Sequence, residues 1–280
     1  MALLNFTRFG IRENEILNDA YKYIIGFDLG DWEISASYLN IRISTSQNYD
    51  LSFDSNDVRK IYSALFIKND GTFVCGRGED LEFRDNTGKL FTHFKVKPLR
   101  LQELYEGSNI TKRELMQEML HQGIKAIINH NNTQDFSGKG LLAISCPSSP
   151  GWLANDMDIY YANILAEGIK DCGLDLSIII MPESRASLIK IYTERTKGYT
   201  IQDGTKWENF LEKLHNGVFV IKRDLATIDC TSIDFGKNSQ FYESIPFGIS
   251  FIEKAMLKEF CEKVNCEKDD IVEIDNVMLD

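Results

Sequence analysis

The spacing of hydrophobic and polar positions changes along the chain, and the change separates two styles of construction. Tyr23-Ile24-Ile25-Gly26-Phe27-Asp28-Leu29-Gly30 is an apolar run that ends in an acidic, glycine-punctuated turn. Glu33-Ile34-Ser35-Ala36-Ser37-Tyr38-Leu39 then partly alternates polar and apolar residues, as a returning strand does. The pair predicts a β-hairpin with Gly30 and Asp31 in its turn. A second hairpin is predicted over residues 63–75, where Asn69-Asp70-Gly71 supplies residue types that tolerate a positive φ. The early chain therefore reads as antiparallel.

Helical and strand periods alternate next. Thr111-Lys112-Arg113-Glu114 has the form of a capping box. Leu115, Met119, Leu120, Ile124, Ile127 and Ile128 follow it at helical spacing. Gly140 to Cys146 reads as a short buried strand ended by Pro147. Asn155 or Asp156 is placed to cap a helix carrying Met157, Tyr161, Ile164, Leu165, Ile169 and Cys172 on one face, with Gly173 as its left-handed C-terminal residue. Leu176 to Met181 is another strand, and Pro182-Glu183 opens a helix through Leu188 and Tyr192. Residues 196–216 are polar and read as a loop or insertion. Period-two patterning returns in Val218 to Ile221, in Ala226 to Phe235 and near Phe241, before a helix from Ile249 to about Val264 and an acidic tail. No internal repeat and no low-complexity segment is present.

Charge and cysteine usage narrow the function classes. The 280 residues carry 31 Lys+Arg against 42 Asp+Glu, a formal net charge of −11. That balance argues against a broad nucleic-acid or anionic-membrane surface, because each phosphate contact needs a cation. It leaves room for one phosphate-binding cleft. The six cysteines form no CxxC pair, and the four histidines have no metal-ligand spacing, so neither a disulfide framework nor a zinc site is expected. The N-terminal segment lacks the apolar run of a secretory signal, and no stretch approaches the ~18 apolar residues of a membrane span. The expectation is a reduced, cytoplasmic protein with no membrane or nucleic-acid partner.

Two strand–Asp–turn–strand units, at Asp28 and near Asp224, are separated by a βαβα stretch. A carboxylate at a strand end can hold metal-bound water, and small turn residues let backbone amides approach phosphate. In this order the segments resemble the actin-like ATPase superfamily, and most of all the nucleotide-binding domain of the 70-kDa heat-shock chaperones (DnaK-type). Gly26-Phe27-Asp28-Leu29-Gly30 is similar to that family's first phosphate loop. Phe94-Lys95-Val96-Lys97 resembles its Phe-Asp-Ala-Lys segment, and Leu141 to Pro147 its Val-Ile-Thr-Val-Pro strand. Asp171 to Leu176 resembles its Ala-Gly-Leu-Asn-Val link, and Ile179 to Ser187 its Ile-Ile-Asn-Glu-Pro-Thr-Ala-Ala-Ala segment, with Glu and Pro exchanged. The likeness spans roughly residues 23–265.

The resemblance implies an α/β fold of the actin-like ATPase (ribonuclease H-like) type. It divides the chain into an N-terminal extension (1–22), a first lobe (23–195), a connecting loop or insertion (196–216) and the truncated start of a second lobe (217–280). It implies Mg-ATP binding, with slow hydrolysis used as a conformational switch. Asp28 and Asp224 would hold Mg²⁺ through water. Lys97, Glu183 and Asp229 would be catalytic. Gly26, Gly30, Asp31, Trp32, Thr227 and Gly248 would line ATP or ADP. Each has a plainer reading: turn aspartates, a packed tryptophan, a first-turn helix acid at Glu183, and a solvated basic strand edge at Lys95, Lys97 and Arg100.

Departures from the family pattern matter. The second loop reads Asp224-Leu225-Ala226-Thr227-Ile228-Asp229, with two glycines deleted and a third replaced by Ala226; a second register uses Asp229 and Asp234. Glycine lets backbone fold against phosphate, so this loop is compromised. Asp31 and Trp32 replace two threonines of the first loop, and the Asp31 carboxylate opposes a phosphate oxygen. The family's later adenosine motif has no counterpart. The expectation is therefore an ATPase with impaired phosphate loops, partnered by a protein client or by further domains of a longer chain. The alternatives are a non-catalytic scaffold relative, an actin-like filament protein, and a sugar kinase of the same superfamily.

Overall fold

Alternation sets the first strand. Tyr23, Ile25, Phe27 and Leu29 are all essentially inaccessible, while the residues between them are more exposed. A computed structural model describes residues 6–11, 20–41, 48–75, 88–187, 190, 218–223, 228–234, 239–245, 255, 258 and 259. The insertion expected at 196–216, the acidic tail and most of the helix expected from Ile249 lie outside these residues; 255, 258 and 259 are helical.

Strand β1 (Tyr23–Leu29) turns back into β2 (Glu33–Asn40), with Asp28 opposite Ser35 and Leu29 opposite Ile34. The expected first hairpin is thus observed. Two short strands pair with β2 in turn, β3 (Asn48–Asp50) and β4 (Lys60–Tyr62). A separate antiparallel sheet follows, in which β5 (Ala64–Lys68) lies between β6 (Phe73–Cys75) and β7 (Gly88–Thr92). The β5–β6 turn contains Gly71 at φ 84°, the left-handed conformation its sequence anticipates. Strands β3, β4 and β7 were not foreseen; each is three to five residues long, too short for a period to show.

Helix α1 (Lys112–His130) starts at the predicted capping box: the Thr111 side chain accepts from the Glu114 amide, and the Glu114 side chain takes the Thr111 amide. It buries Leu115, Met116, Met119, Leu120, Ile124 and Ile127. Gly123 lets it close on β1, since a Cβ there would stand 2.9 Å from the Phe27 ring. Strand β8 (Lys139–Cys146) pairs parallel with β1, and β9 (Asp175–Pro182) pairs parallel with β8. The main sheet therefore runs β3-β2-β1-β8-β9, with β4 beside β2. A single core of β1, β2, β8, β9 and helix residues lies on one face; Ile11 packs with Tyr21, Leu141 and Ile179 in a smaller cluster.

Between β8 and β9 lie α2 (Pro150–Leu153) and α3 (Met157–Gly168). Three sequence expectations are corrected here. Helix α3 ends at Gly168, so Ile169 and Cys172 are buried from a turn closed by the Cys172 amide on the Ile169 carbonyl (3.1 Å). Gly173 has φ 88° but belongs to the approach to β9, five residues past the helix. Asp156 does occupy the N-cap position, but in left-handed conformation with no capping hydrogen bond; its carboxylate pairs with Arg8 at 2.8 Å instead. After β9, residues 183–187 and 190 are helical, with Pro182 as the last strand residue; Leu188 and Tyr192 lie outside the described residues.

A third sheet is antiparallel throughout: β10 (Val218–Arg223), β11 (Ile228–Asp234) and β12 (Ser239–Ile245), with β11 in the middle. Among the described residues no helix is long and apolar enough to cross a membrane.

Candidate functional site

Strands β1, β8 and β9 point the same way, so their carboxyl ends share one edge of the sheet. That edge is where open α/β sheets bind ligands. It gathers Asp28-Leu29-Gly30, Ser145-Cys146 and Pro182-Glu183.

The parallel β1–β8 ladder ends at the pair Phe27–Ile144. Beyond it, side chains take over the backbone of β1. Ser145 Oγ accepts from the Leu29 amide at 3.1 Å and donates to Asp28 Oδ1 at 2.5 Å. Lys95 Nζ donates to the Leu29 carbonyl at 2.5 Å. Asp28 is exposed while its neighbours Phe27 and Leu29 are buried, so its carboxylate is presented at the sheet edge. Gly30 closes the turn: its amide donates to the Glu33 carbonyl at 3.1 Å, and a Cβ would stand 2.4 Å from that oxygen.

The remaining first-loop residues have evident local partners. Asp31 lies 3.6 Å from His93 Nδ1. Trp32 stands edge-on to Tyr62 at 5.6 Å, a packing contact with β4. Gly26 is inside β1 opposite Ser37, away from the turn, and a Cβ there would meet Ser37 Oγ at 2.9 Å.

The basic segment departs from its plain reading. Residues 93–97 form no strand, and the Lys95 side chain is only 4% exposed. Its ammonium lies 3.5 Å from Glu183 Oε1, itself buried, and 5.9 Å from the centre of the Trp152 ring. Lys97 is exposed, and its stem crosses Gly151, where a Cβ would be 2.8 Å from Lys97 Cδ. Arg100 is paired with Glu103 at 2.7 Å. Behind Glu183, Ser148 Oγ donates to Ser184 Oγ (2.7 Å) and accepts from the Ser184 amide (2.9 Å), tying the loop after β8 to helix 183–187. The Tyr161 hydroxyl is fully buried next to this group, and burial pushes its pKa well up, with Cys146 and Glu183 adding to the effect.

Asp28, Gly30 and Asp31 share the end of β1 and its turn, Glu183 meets that turn through Lys95, and Lys97 lies over Gly151 in α2. Asp224, Thr227 and Gly248 lie outside the described residues, and Asp229 is placed on β11 opposite Lys222 and Ser244. Sequence reasoning missed Ser145 and Lys95. Both contact Leu29 backbone atoms, and neither contact leaves a mark in local sequence. A surface depression of about 480 Å³, lined by Leu104 to Asn109, shares no residue with this site. Among the described residues no three His, Cys, Asp or Glu side chains are grouped to hold a metal by themselves.

No protein-family model matches the chain, and no curated protein matches it significantly. Solved structures do. MreB5 of Spiroplasma citri bound to AMPPNP aligns with 16% identity and a TM-score of 0.54 over 89% of this chain and 61% of that one. The same protein bound to ADP aligns with 17% identity and a TM-score of 0.51 over the same shares, 89% and 61%. The fold is that of the actin-like ATPases, as the motifs implied. The chain spans 61% of the length of MreB5. The closeness to DnaK-type chaperones expected from the motifs is not supported by these likenesses.

Proposed function

We propose that the chain binds a nucleoside di- or triphosphate, with Mg²⁺, at the carboxyl ends of β1, β8 and β9. The observation that carries this reading is the exposed Asp28 carboxylate, held in place by Ser145 at the edge where such sheets take ligands. The two MreB5 structures of the same fold, bound to AMPPNP and to ADP, support it.

The residues fit a hydrated cation better than a bare one. An exposed carboxylate, with no three His, Cys, Asp or Glu side chains grouped around a cation among the described residues, suits Mg²⁺, which keeps several of its waters. Bound there, the ion would offset phosphate charge. In this reading Asp28 and Asp224 hold it through water and Lys97 meets phosphate from the exposed side. Thr227, Asp229 and Gly248 belong to the same proposal through the second loop. Glu183 is buried against Lys95, which places it behind the turn. Asp31 in the first turn opposes an anion, so the affinity expected is weak.

Thermal unfolding of the full chain with increasing Mg-ADP or Mg-ATP tests this. A ligand at 100 times its Kd stabilises by about 2.7 kcal/mol, and Asp28→Ala removes the rise. An unchanged melting temperature at millimolar nucleotide overturns the reading. Assembly of copies into an actin-like filament is a second proposal. Phe219 and Ile221 leave β10 with an apolar strip 62% and 63% exposed. Sedimentation with and without nucleotide decides it, and absence of polymer removes it.

A further inference from the structure

We propose that Lys95 is a positioning residue for the turn that presents Asp28, acting as a buried strut between the Leu29 carbonyl and Glu183. The proposal depends on the nucleotide reading for its functional consequence but not for its structural content.

The argument starts from backbone accounting. A buried peptide group needs partners for its N–H and its C=O. Leu29 is fully buried, yet the β8 ladder has already ended at Phe27–Ile144. Its amide is taken by Ser145 Oγ and its carbonyl by Lys95 Nζ. On the β8 side the end of β1 is therefore held by two side chains, while β2 pairs with it up to Leu29–Ile34. Lys95 has the longer side chain of the two. Phe94, 1% exposed, pins its backbone, and its ammonium reaches the turn after β1, the first residue of helix 183–187 and the face of Trp152 in α2. A charge this buried is held only where it is paired. The pairing ties three separately connected elements together at Leu29, the residue after Asp28. Glu183 acts through Lys95 on the same turn.

The test compares the wild-type chain with Lys95→Met and with Lys95→Met/Glu183→Leu, in which both buried charges leave together and the fold is kept. Hydrogen exchange over residues 27–33 without nucleotide reads the turn. The Mg-ADP-dependent rise in melting temperature reads the site. The double variant is expected to melt below the wild type but above Lys95→Met, to exchange its turn amides at least about tenfold faster and to bind Mg-ADP at least about tenfold more weakly, the loss expected for one hydrogen bond from a charged donor. Wild-type exchange in the double variant overturns the proposal, and so does unchanged binding beside faster exchange. Glu183→Gln, which keeps the volume and removes the ionic partner, gives the same direction of change should the double variant not fold. A wild type that ignores Mg-ADP removes the nucleotide reading, while the exchange comparison still decides the role of Lys95.

Discussion

Ser145 Oγ stands 2.5 Å from Asp28 Oδ1 and 3.1 Å from the Leu29 amide, so one hydroxyl of β8 orients the carboxylate and satisfies the backbone beside it. Ser145→Ala leaves the buried Leu29 N–H without that partner, which costs about 1–3 kcal/mol. It also frees the Asp28 side chain to rotate. Urea unfolding is expected to show the loss, and Mg-nucleotide titration a weaker affinity. Wild-type values in both would mean that the serine holds nothing.

Two glycines near the site separate backbone from side-chain constraints. A Cβ at Gly30 would sit 2.4 Å from the Glu33 carbonyl oxygen, a backbone atom that closes the hairpin and cannot step aside. Gly30→Ala is expected to cost about 1–3 kcal/mol, as overpacking does. A Cβ at Gly151 meets only the flexible stem of Lys97, at 2.8 Å from Cδ and 3.1 Å from Cε. Gly151→Ala is expected to stay within about 0.5 kcal/mol of the wild type, as surface changes do, and to move Lys97. Melting curves of the two variants side by side check the contrast.

Much of this was legible in the sequence because it is local. The Thr111–Glu114 capping box, the Asp28–Gly30 turn, the Asn69–Gly71 turn and the buried strand ending at Cys146 all write their geometry into neighbouring residues. What stayed hidden is register. Parallel pairing brings Ser145 beside Asp28 across 117 positions, and no spacing rule carries that. In sequence Lys95 reads as part of a solvated edge, because Lys95, Lys97 and Arg100 look alike there. Their fates differ through neighbours: the buried Phe94 draws Lys95 inward toward Glu183, while Arg100 follows the short 3-10 turn Pro98–Arg100 out to Glu103. The end of α3 is hidden for a related reason. Ile169 and Cys172 keep the inward pattern of a helix while leaving it, so hydrophobic period alone runs past Gly168.

Acidification should expose the ion cluster at the start of α1. Hydrogen bonds from Arg100 and then Lys112 hold the Glu103 carboxylate down at about 2, against an ordinary 4.5. A depressed folded-state pKa contributes stability above the unfolded value and loses it as pH falls. The contribution of Glu103 is therefore present above pH 4.5 and fades between there and about 2. Glu103→Gln should flatten the pH dependence of urea stability over that window. Because the group is exposed, the difference should shrink in 1 M salt. Equal slopes for both proteins at low salt would discount the cluster.

Lys95 and Lys97 stand two residues apart and should fail in opposite ways. Lys97 is exposed and crosses Gly151, so Lys97→Ala is expected to leave urea stability within about 0.5 kcal/mol. The Lys95 side chain is 4% exposed and paired with a buried carboxylate, so Lys95→Met takes this ionic partner from Glu183 and should cost about 3–5 kcal/mol. If Lys97 meets phosphate, its loss weakens nucleotide binding without touching the fold, and the defect narrows as salt screens the charge. Titrating Mg-ADP into Lys97→Ala at 0.05 M and 0.5 M salt, beside unfolding curves for both variants, separates the roles. A Lys97→Ala chain that binds like the wild type at low salt would remove this lysine from the site and leave the anion to the turn amides and the cation.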